Sequence, residues 1–136
     1  MITLDLAKAL AAQGLTWEPA SGDRFHVPDR DLDDEVFVVS GMSVEVSELP
    51  SGAEMRFHGT VEWALDSIEK NEVVWLPREE QMRDALGSRF LRLESVTGGY
   101  AVVLTDGQDG SPGERHVDID PERAYARALL AVLRSR

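Results

Sequence analysis

The chain has 136 residues, about the length of one domain, and 43% of them are hydrophobic, which excludes a disordered protein. It carries 25 acidic and 14 basic side chains, and this net charge of −11 disfavours nucleic-acid binding, which needs clustered lysine and arginine. It contains no cysteine, which excludes disulfides, thiolate metal sites and cysteine nucleophiles.

An amphipathic pattern at the start of the chain predicts a helix over residues 4–13. Thr3 is a typical N-cap residue, and Gly14 suits the left-handed position that ends many helices. Residues 17–28 contain two prolines and one glycine, so we expect a loop there that encloses a short extended segment at 24–27.

The next segment has the composition of β-strands. Strands are predicted over residues 35–40, 43–49 and 54–58, joined by turns into an antiparallel meander. The unbroken apolar run at 36–39 predicts that the first of these strands is buried on both faces. Apolar residues at helical spacing then predict a helix over residues 61–70.

The middle of the chain predicts a short strand, a helix and a hairpin. Residues 73–76 read as extended, and Pro77 suits the first position of a helix that Gly87 ends. The sequence Thr-Gly-Gly between two β-type segments is a strong hairpin signal, so we expect paired strands over residues 90–96 and 100–105.

The last segment predicts a loop, a strand and a closing helix. Residues 106–113 hold three glycines and a proline, which indicates a loop, and a strand follows over 115–119. Asp120 is suited to the N-cap of the closing helix and Pro121 to its first position. The sequence therefore predicts a single α+β domain over residues 1–136, with a largely antiparallel sheet and helices packed on it.

One acidic stretch is a candidate metal or ligand site. Its carboxylates are the ligands that hard cations such as calcium prefer, although it lacks the glycine and glutamate of an EF-hand loop. The alternative is a solvated turn. Its acidic residues are Asp29, Asp31, Asp33, Asp34 and Glu35.

A second candidate lies just before the closing helix. On a strand, His116, Asp118 and Asp120 share one face, where a histidine and two carboxylates bind a divalent metal or perform general-base chemistry. Val117 and Ile119 would then face the core. The alternative is that Asp120 serves only as a helix cap on an ordinary polar face.

Four further residues are candidates for protein contacts. Trp63 is one of them, because it lies off the apolar stripe of its predicted helix. For the three tryptophans, Trp17, Trp63 and Trp75, we expect packing in the core or at a helix–sheet seam, with a ligand groove as the alternative. Besides Trp63, the candidates for protein contacts are three arginines of the closing helix, which carries more basic than acidic residues: Arg123, Arg127 and Arg134.

Residues 28–39, 62–67 and 75–81 resemble a group of small uncharacterised actinobacterial proteins, some of which are labelled pilus assembly proteins of the ATPase type. The chain departs from that label because such an ATPase needs a phosphate-binding loop, and the sequence has none. The segment Ala-Tyr-Ala-Arg-Ala-Leu-Leu in the closing helix is similar to small phage-type proteins with a helix–sheet–helix sandwich. Neither resemblance implies a catalytic residue.

The distribution of charge favours a binding function. Residues 1–80 carry 17 acidic and 6 basic side chains, whereas residues 81–136 carry eight of each. The sequence contains no dinucleotide-binding, nucleophile-elbow or zinc-protease motif, so we expect no cofactor. No apolar run approaches the roughly 20 residues of a membrane-spanning helix, and the chain has no signal-peptide pattern.

We therefore expect a cytoplasmic, non-enzymatic binding or adaptor module, for example an inhibitor or immunity-type partner of a basic protein. One alternative is a metal- or ligand-binding protein, or an enzyme, that uses either acidic stretch. Another is a homo-oligomer formed through a sheet edge or the closing helix.

Overall fold

The computed structural model describes residues 1–27, 36–39, 43–49, 52–58, 67–69, 73–106 and 110–136, with the backbone alone for 43–49, 52–58 and 67–69. The described residues form three α-helices, one short 3-10 helix at Gly87–Arg89 and nine strands. In chain order the α-helices and strands are α1 Leu4–Ala12, β1 Arg24–His26, β2 Val36–Val38, β3 Ser43–Leu49, β4 Gly52–His58, β5 Ser67–Glu69, β6 Val74–Leu76, α2 Glu79–Leu86, β7 Phe90–Val96, β8 Gly99–Thr105, β9 Pro112–Asp118 and α3 Pro121–Arg134.

The strands pair into three antiparallel sheets of three strands each, in the orders β2-β1-β6, β3-β4-β5 and β7-β8-β9. The α+β class with antiparallel sheets and packed helices is confirmed. No helix in the described ranges is long and apolar enough to cross a membrane.

The chain divides into two compact units. Unit 1 comprises Met1–Thr16 and Pro77–Arg136, and unit 2 comprises Trp17–Leu76. Unit 1 holds the three α-helices and strands β7–β9, whereas β1–β6 belong to unit 2. The expectation of one cooperative domain stays a prediction.

Helix α3 forms the centre of unit 1. It packs on β8 and β9, and both α1 and α2 pack on α3. Because neighbours surround it on several sides, its buried residues extend beyond a single helical stripe. They are Ala124, Tyr125, Ala126, Ala128, Leu129, Leu130 and Val132.

The ends of α1 agree with the prediction. The Thr3 Oγ1 atom accepts a hydrogen bond from the Leu6 backbone N–H at 3.2 Å, which caps the helix. Gly14 has a φ of 98°, and the Leu15 N–H donates to the Leu10 carbonyl at 3.1 Å, the pattern of a Schellman ending.

Helix α2 begins later than Pro77, so the prediction of Pro77 as its first residue is wrong. Arg78 is the N-cap, with extended backbone, and its N–H donates to Gln81 Oε1 at 2.9 Å. Pro77 lies just outside the helix, where its missing backbone N–H removes no helical hydrogen bond.

The hairpin of β7 and β8 is confirmed, and Gly98 in its turn has a φ of 81°. The loop after it is shorter than predicted, because β9 begins at Pro112, opposite Thr105. The Asp106 N–H donates to the Ser111 carbonyl at 3.0 Å and extends this pairing toward the loop.

Unit 2 contains an aromatic core on one face of the β2-β1-β6 sheet. Phe37, Phe25 and Trp75 are direct neighbours across its three strands, and the Trp17 ring lies 5.7 Å from Phe25 and 6.3 Å from Trp75. The prediction of a core position is confirmed for Trp17, and Trp75 is partly buried and packs against this core.

Strand β2 is buried on one face only, contrary to the prediction for its apolar run. Phe37 is 8% exposed, whereas Val36 and Val38 are 40% and 43% exposed. The reason is that Phe37 packs into the aromatic core of unit 2, whereas the alternation of the strand directs Val36 and Val38 to the opposite face.

Two other predictions for unit 2 need correction. β2 pairs with β1 rather than β3, so the predicted meander starts only at β3. Ser67–Glu69 is a strand paired with β4, so the predicted helix over 61–70 is wrong at these residues. Residues 61–66 lie outside the described ranges.

Candidate functional site

The first candidate site lies outside the described residues. This applies to Trp63 and to the acidic stretch formed by Asp29, Asp31, Asp33, Asp34 and Glu35. A metal or ligand site there stays a prediction.

Asp118, at the end of β9, is held by two arginines of α3. Its Oδ1 lies 2.9 Å from Arg123 Nε, and its Oδ2 accepts a hydrogen bond from Arg127 Nε at 2.8 Å. Its Oδ1 also accepts from the Asp120 N–H at 3.1 Å. The two arginines are four residues apart, so they lie on one face of the helix. This pairing was not predicted from the sequence, and the spacing of the two arginines is the signal that points to it.

The surroundings of Asp118 favour its ionised form. Burial of the side chain by itself raises the pKa. The Arg127 hydrogen bond, the Asp120 N–H and the charges of Arg123 and Arg127 outweigh that effect, and the pKa is lowered from the ordinary 3.8. Asp118 therefore joins β9 to α3 as a carboxylate.

His116 and Asp120 have other neighbours. His116 Nε2 lies 3.2 Å from Glu114 Oε2, and Asp120 Oδ2 lies 3.2 Å from the Met1 amine. Asp120 occupies the predicted N-cap, but its side chain makes no capping hydrogen bond. Within the described ranges, no three histidine, aspartate or glutamate side chains are grouped as metal ligands would be. A metal site built on His116, Asp118 and Asp120 has not gained support and stays a prediction.

The predicted orientation of β9 is wrong. Val117 and Ile119 are 54% and 73% exposed, whereas the Asp118 and His116 side chains are 9% and 21% exposed. The face of β9 toward α3 carries the polar residues because Asp118 pairs with Arg123 and Arg127. The alternation of a strand then directs Val117 to the opposite face.

The face that carries Val117 also carries an ion cluster. Arg92 and Arg115 lie on either side of Val103, in register across β7, β8 and β9. Glu94 binds both, with Oε2 3.0 Å from Arg92 Nε and Oε1 2.5 Å from Arg115 Nη2. The Arg92 hydrogen bond and the nearby Arg115 charge lower the Glu94 pKa.

The candidate arginines of α3 differ in their engagement. Arg123 and Arg127 bind Asp118 and are 27% and 51% exposed, whereas Arg134 is exposed in the last turn of the helix. Two of the three side chains are therefore already engaged in ion pairs within unit 1.

The net negative charge lies almost entirely in unit 2. Trp17–Leu76 contains 14 acidic and 4 basic side chains, a net charge of −10, whereas unit 1 contains 11 acidic and 10 basic side chains. The two units therefore differ sharply in net charge: unit 2 is strongly acidic and unit 1 is nearly neutral. The division of the sequence at residue 80 follows the same contrast in charge less closely, because residues 1–16 and 77–80 belong to unit 1.

No family model, curated protein or solved structure matches the chain. The resemblances to the actinobacterial and phage-type groups stay predictions.

Proposed function

We propose that this protein is a cytoplasmic, non-enzymatic binding module whose unit 2 binds a basic protein. The observation that carries the proposal is the net charge of −10 on the 60 residues of unit 2. A compact unit with this excess of one sign produces a field that attracts a partner of the opposite sign.

Charge of this kind acts mainly on the rate and selectivity of association. Complementary fields raise association rate constants from roughly 10⁵–10⁶ to 10⁸–10⁹ M⁻¹s⁻¹ at low salt, and like charges exclude wrong partners. The specific form that we favour is an inhibitor or immunity-type partner of a basic toxin or nucleic-acid enzyme. The nucleic-acid-binding face of such an enzyme is itself basic.

The test compares two variants with the same change in net charge. In the first, Asp29, Asp31, Asp33 and Asp34 are replaced by asparagine in unit 2. In the matched control, four exposed acids of unit 1 are neutralised: Asp5, Asp84, Asp106 and Glu114.

A partner is first captured from native lysate with the unaltered chain at about 50 mM salt, where charge screening is weak. Its affinity for each purified variant is then measured over a salt series. We expect the unit 2 variant to weaken binding about tenfold or more, and the control to change it by less than about threefold. Failure to capture a basic partner, or equal weakening by both variants, would overturn the proposal.

The genes beside the coding gene provide an independent check. A neighbouring toxin gene supports the inhibitor proposal, whereas a pilus operon supports the resemblance to the pilus-labelled proteins instead.

A further inference from the structure

Strand β9 is an edge strand with one free side among the described strands of its sheet. A free strand edge presents unpaired backbone N–H and C=O groups, which another strand can pair with. Natural edges are protected by proline, charge or irregular pairing.

The proline and the irregular pairing of β9 lie in its first half. Pro112 lacks an N–H, the register with β8 shifts between Val103 and Thr105, and Glu114 is exposed. The second half carries Val117 and, just beyond the strand, Ile119, which are 54% and 73% exposed. These are the two most exposed large hydrophobic side chains among the residues whose side chains the structure describes. We call Val117 and Ile119 the β9 strip.

We propose that the β9 strip is a homodimer interface in which β9 pairs antiparallel with β9 of a second copy. An antiparallel pair between identical edges is related by a two-fold axis normal to the sheet, so each surface must complement itself. The two sheets would join into one of six strands, in the order β7-β8-β9 followed by the partner's β9, β8 and β7.

The charges along β9 select the register. With Val117 opposite the partner's Val117, His116 lies opposite the partner's Asp118, so no like charges face each other within the strand, and the symmetry repeats this pair. Shifting the centre to His116 would place Glu114 opposite the partner's Asp118, two like charges. Centring on Arg115 would oppose two arginines. The register centred on Val117 is therefore the best of the three.

The same register places Arg115 opposite the partner's Ile119, beside the two central valines. Arginine covers apolar surface with its aliphatic stem while its guanidinium stays in water. Here Glu94 already holds that guanidinium. The pair of like charges that remains, Glu114 with the partner's Asp120, falls beyond the last strand residue, Asp118. The interface residues lie in unit 1, so this proposal does not depend on the function proposed for unit 2.

The test uses Val117→Asp, which places two carboxylates opposite each other at the centre of the interface. The matched control is Val38→Asp, because Val38 also lies on an edge strand and is 43% exposed. Sedimentation velocity over a concentration series gives the mass of each protein, and circular dichroism confirms that each is folded.

We expect the unaltered chain and Val38→Asp to form dimers with the same dissociation constant, and Val117→Asp to raise it at least about tenfold. The cysteine-free chain also allows single-cysteine cross-linking. A short bismaleimide should join Val117→Cys chains into dimers and leave Val38→Cys chains uncoupled.

Three outcomes would overturn the proposal. One is a chain that stays monomeric up to millimolar concentration, which would leave the β9 strip to a different protein. The second is a dimer that Val117→Asp does not weaken, which would place the interface elsewhere. The third is equal cross-linking of both cysteine variants.

Discussion

Asp23 shows how one buried carboxylate organises a loop. It is 2% exposed, and its Oδ2 accepts hydrogen bonds from Trp17 Nε1 at 2.9 Å and from the Ala20 N–H at 3.0 Å. These bonds fix the ring of Trp17 against the aromatic core of unit 2. Sequence periodicity does not reveal such a residue, because Asp23 lies in a loop and its partner is six positions away.

We predict that Asp23→Ala lowers the free energy of unfolding by about 2 kcal/mol, because two donors lose their acceptor. Urea denaturation, monitored by tryptophan fluorescence, measures the free energy of unfolding of Asp23→Ala and of the unaltered chain. A loss below about 0.5 kcal/mol would show that water replaces the carboxylate at little cost.

The lowered pKa of Asp118 predicts a specific dependence on pH. A group with a folded pKa below its unfolded value stabilises the protein above the unfolded value, here about 3.8. That stabilisation is lost as the pH falls through the folded pKa. Asp118→Asn should therefore cost about 1–2 kcal/mol at pH 7 and progressively less below pH 4 or so. Denaturation of both proteins across this range measures the difference, and a constant difference would contradict the prediction.

The pairing of Asp118 with two arginines also bears on metal binding. Because a cation at His116 and Asp118 would have to displace or oppose these positive charges, we expect this stretch to bind no divalent ion tightly. Binding of magnesium, calcium, manganese or zinc at this stretch should then not raise the Tm of the chain at millimolar concentration. A rise in Tm that Asp118→Asn abolishes would restore the metal hypothesis for His116, Asp118 and Asp120. A rise that only the Asp29, Asp31, Asp33 and Asp34 variant abolishes would assign it to the other acidic stretch.

At the scale of elements, the hairpin of β7 and β8 depends on two glycines for different reasons. Gly98 has a positive φ and open space around it, so a side chain there would strain the backbone alone. A Cβ on Gly99 would clash with the Asp118 carbonyl oxygen and lie 3.1 Å from Ile119 Cα. These are backbone atoms, which cannot turn aside as a flexible side chain does.

Gly99→Ala should therefore destabilise the protein by about 2 kcal/mol or more, and Gly98→Ala by about 1 kcal/mol. Far-UV circular dichroism during urea denaturation compares the two variants. The reverse order would mean that β9 moves away from β8 without cost, and it would contradict the close packing of these strands.

At the scale of the whole molecule, natural probes separate the two units. All three tryptophans, Trp17, Trp63 and Trp75, belong to unit 2, whereas the three described α-helices belong to unit 1. Tryptophan fluorescence therefore follows unit 2, and the helical dichroism signal follows mainly unit 1.

The prediction of one domain requires that the fluorescence and dichroism transitions coincide during urea denaturation. We expect a single midpoint for both probes. Midpoints that differ by more than the experimental error would show two separately folding domains, with the boundaries at Trp17 and Leu76.

The sequence by itself determined the elements whose signals are local. The Thr3 cap, the Gly14 ending, the Gly98 turn and the start of α3 at Pro121 depend on a few neighbouring residues, and the structure confirms them. Composition likewise fixed the net charge and the absence of cysteine chemistry.

The tertiary structure decided what depends on partners distant in the chain. The exposed face of β2 is the one opposite the aromatic core of unit 2, and the exposed face of β9 is the one opposite α3. Alternation within a strand leaves both faces equally possible. Asp118 is a link to Arg123 and Arg127 because β9 lies beside α3. The sequence showed that the net negative charge lies in residues 1–80, and only the contacts between residues showed that nearly all of it lies in one compact unit.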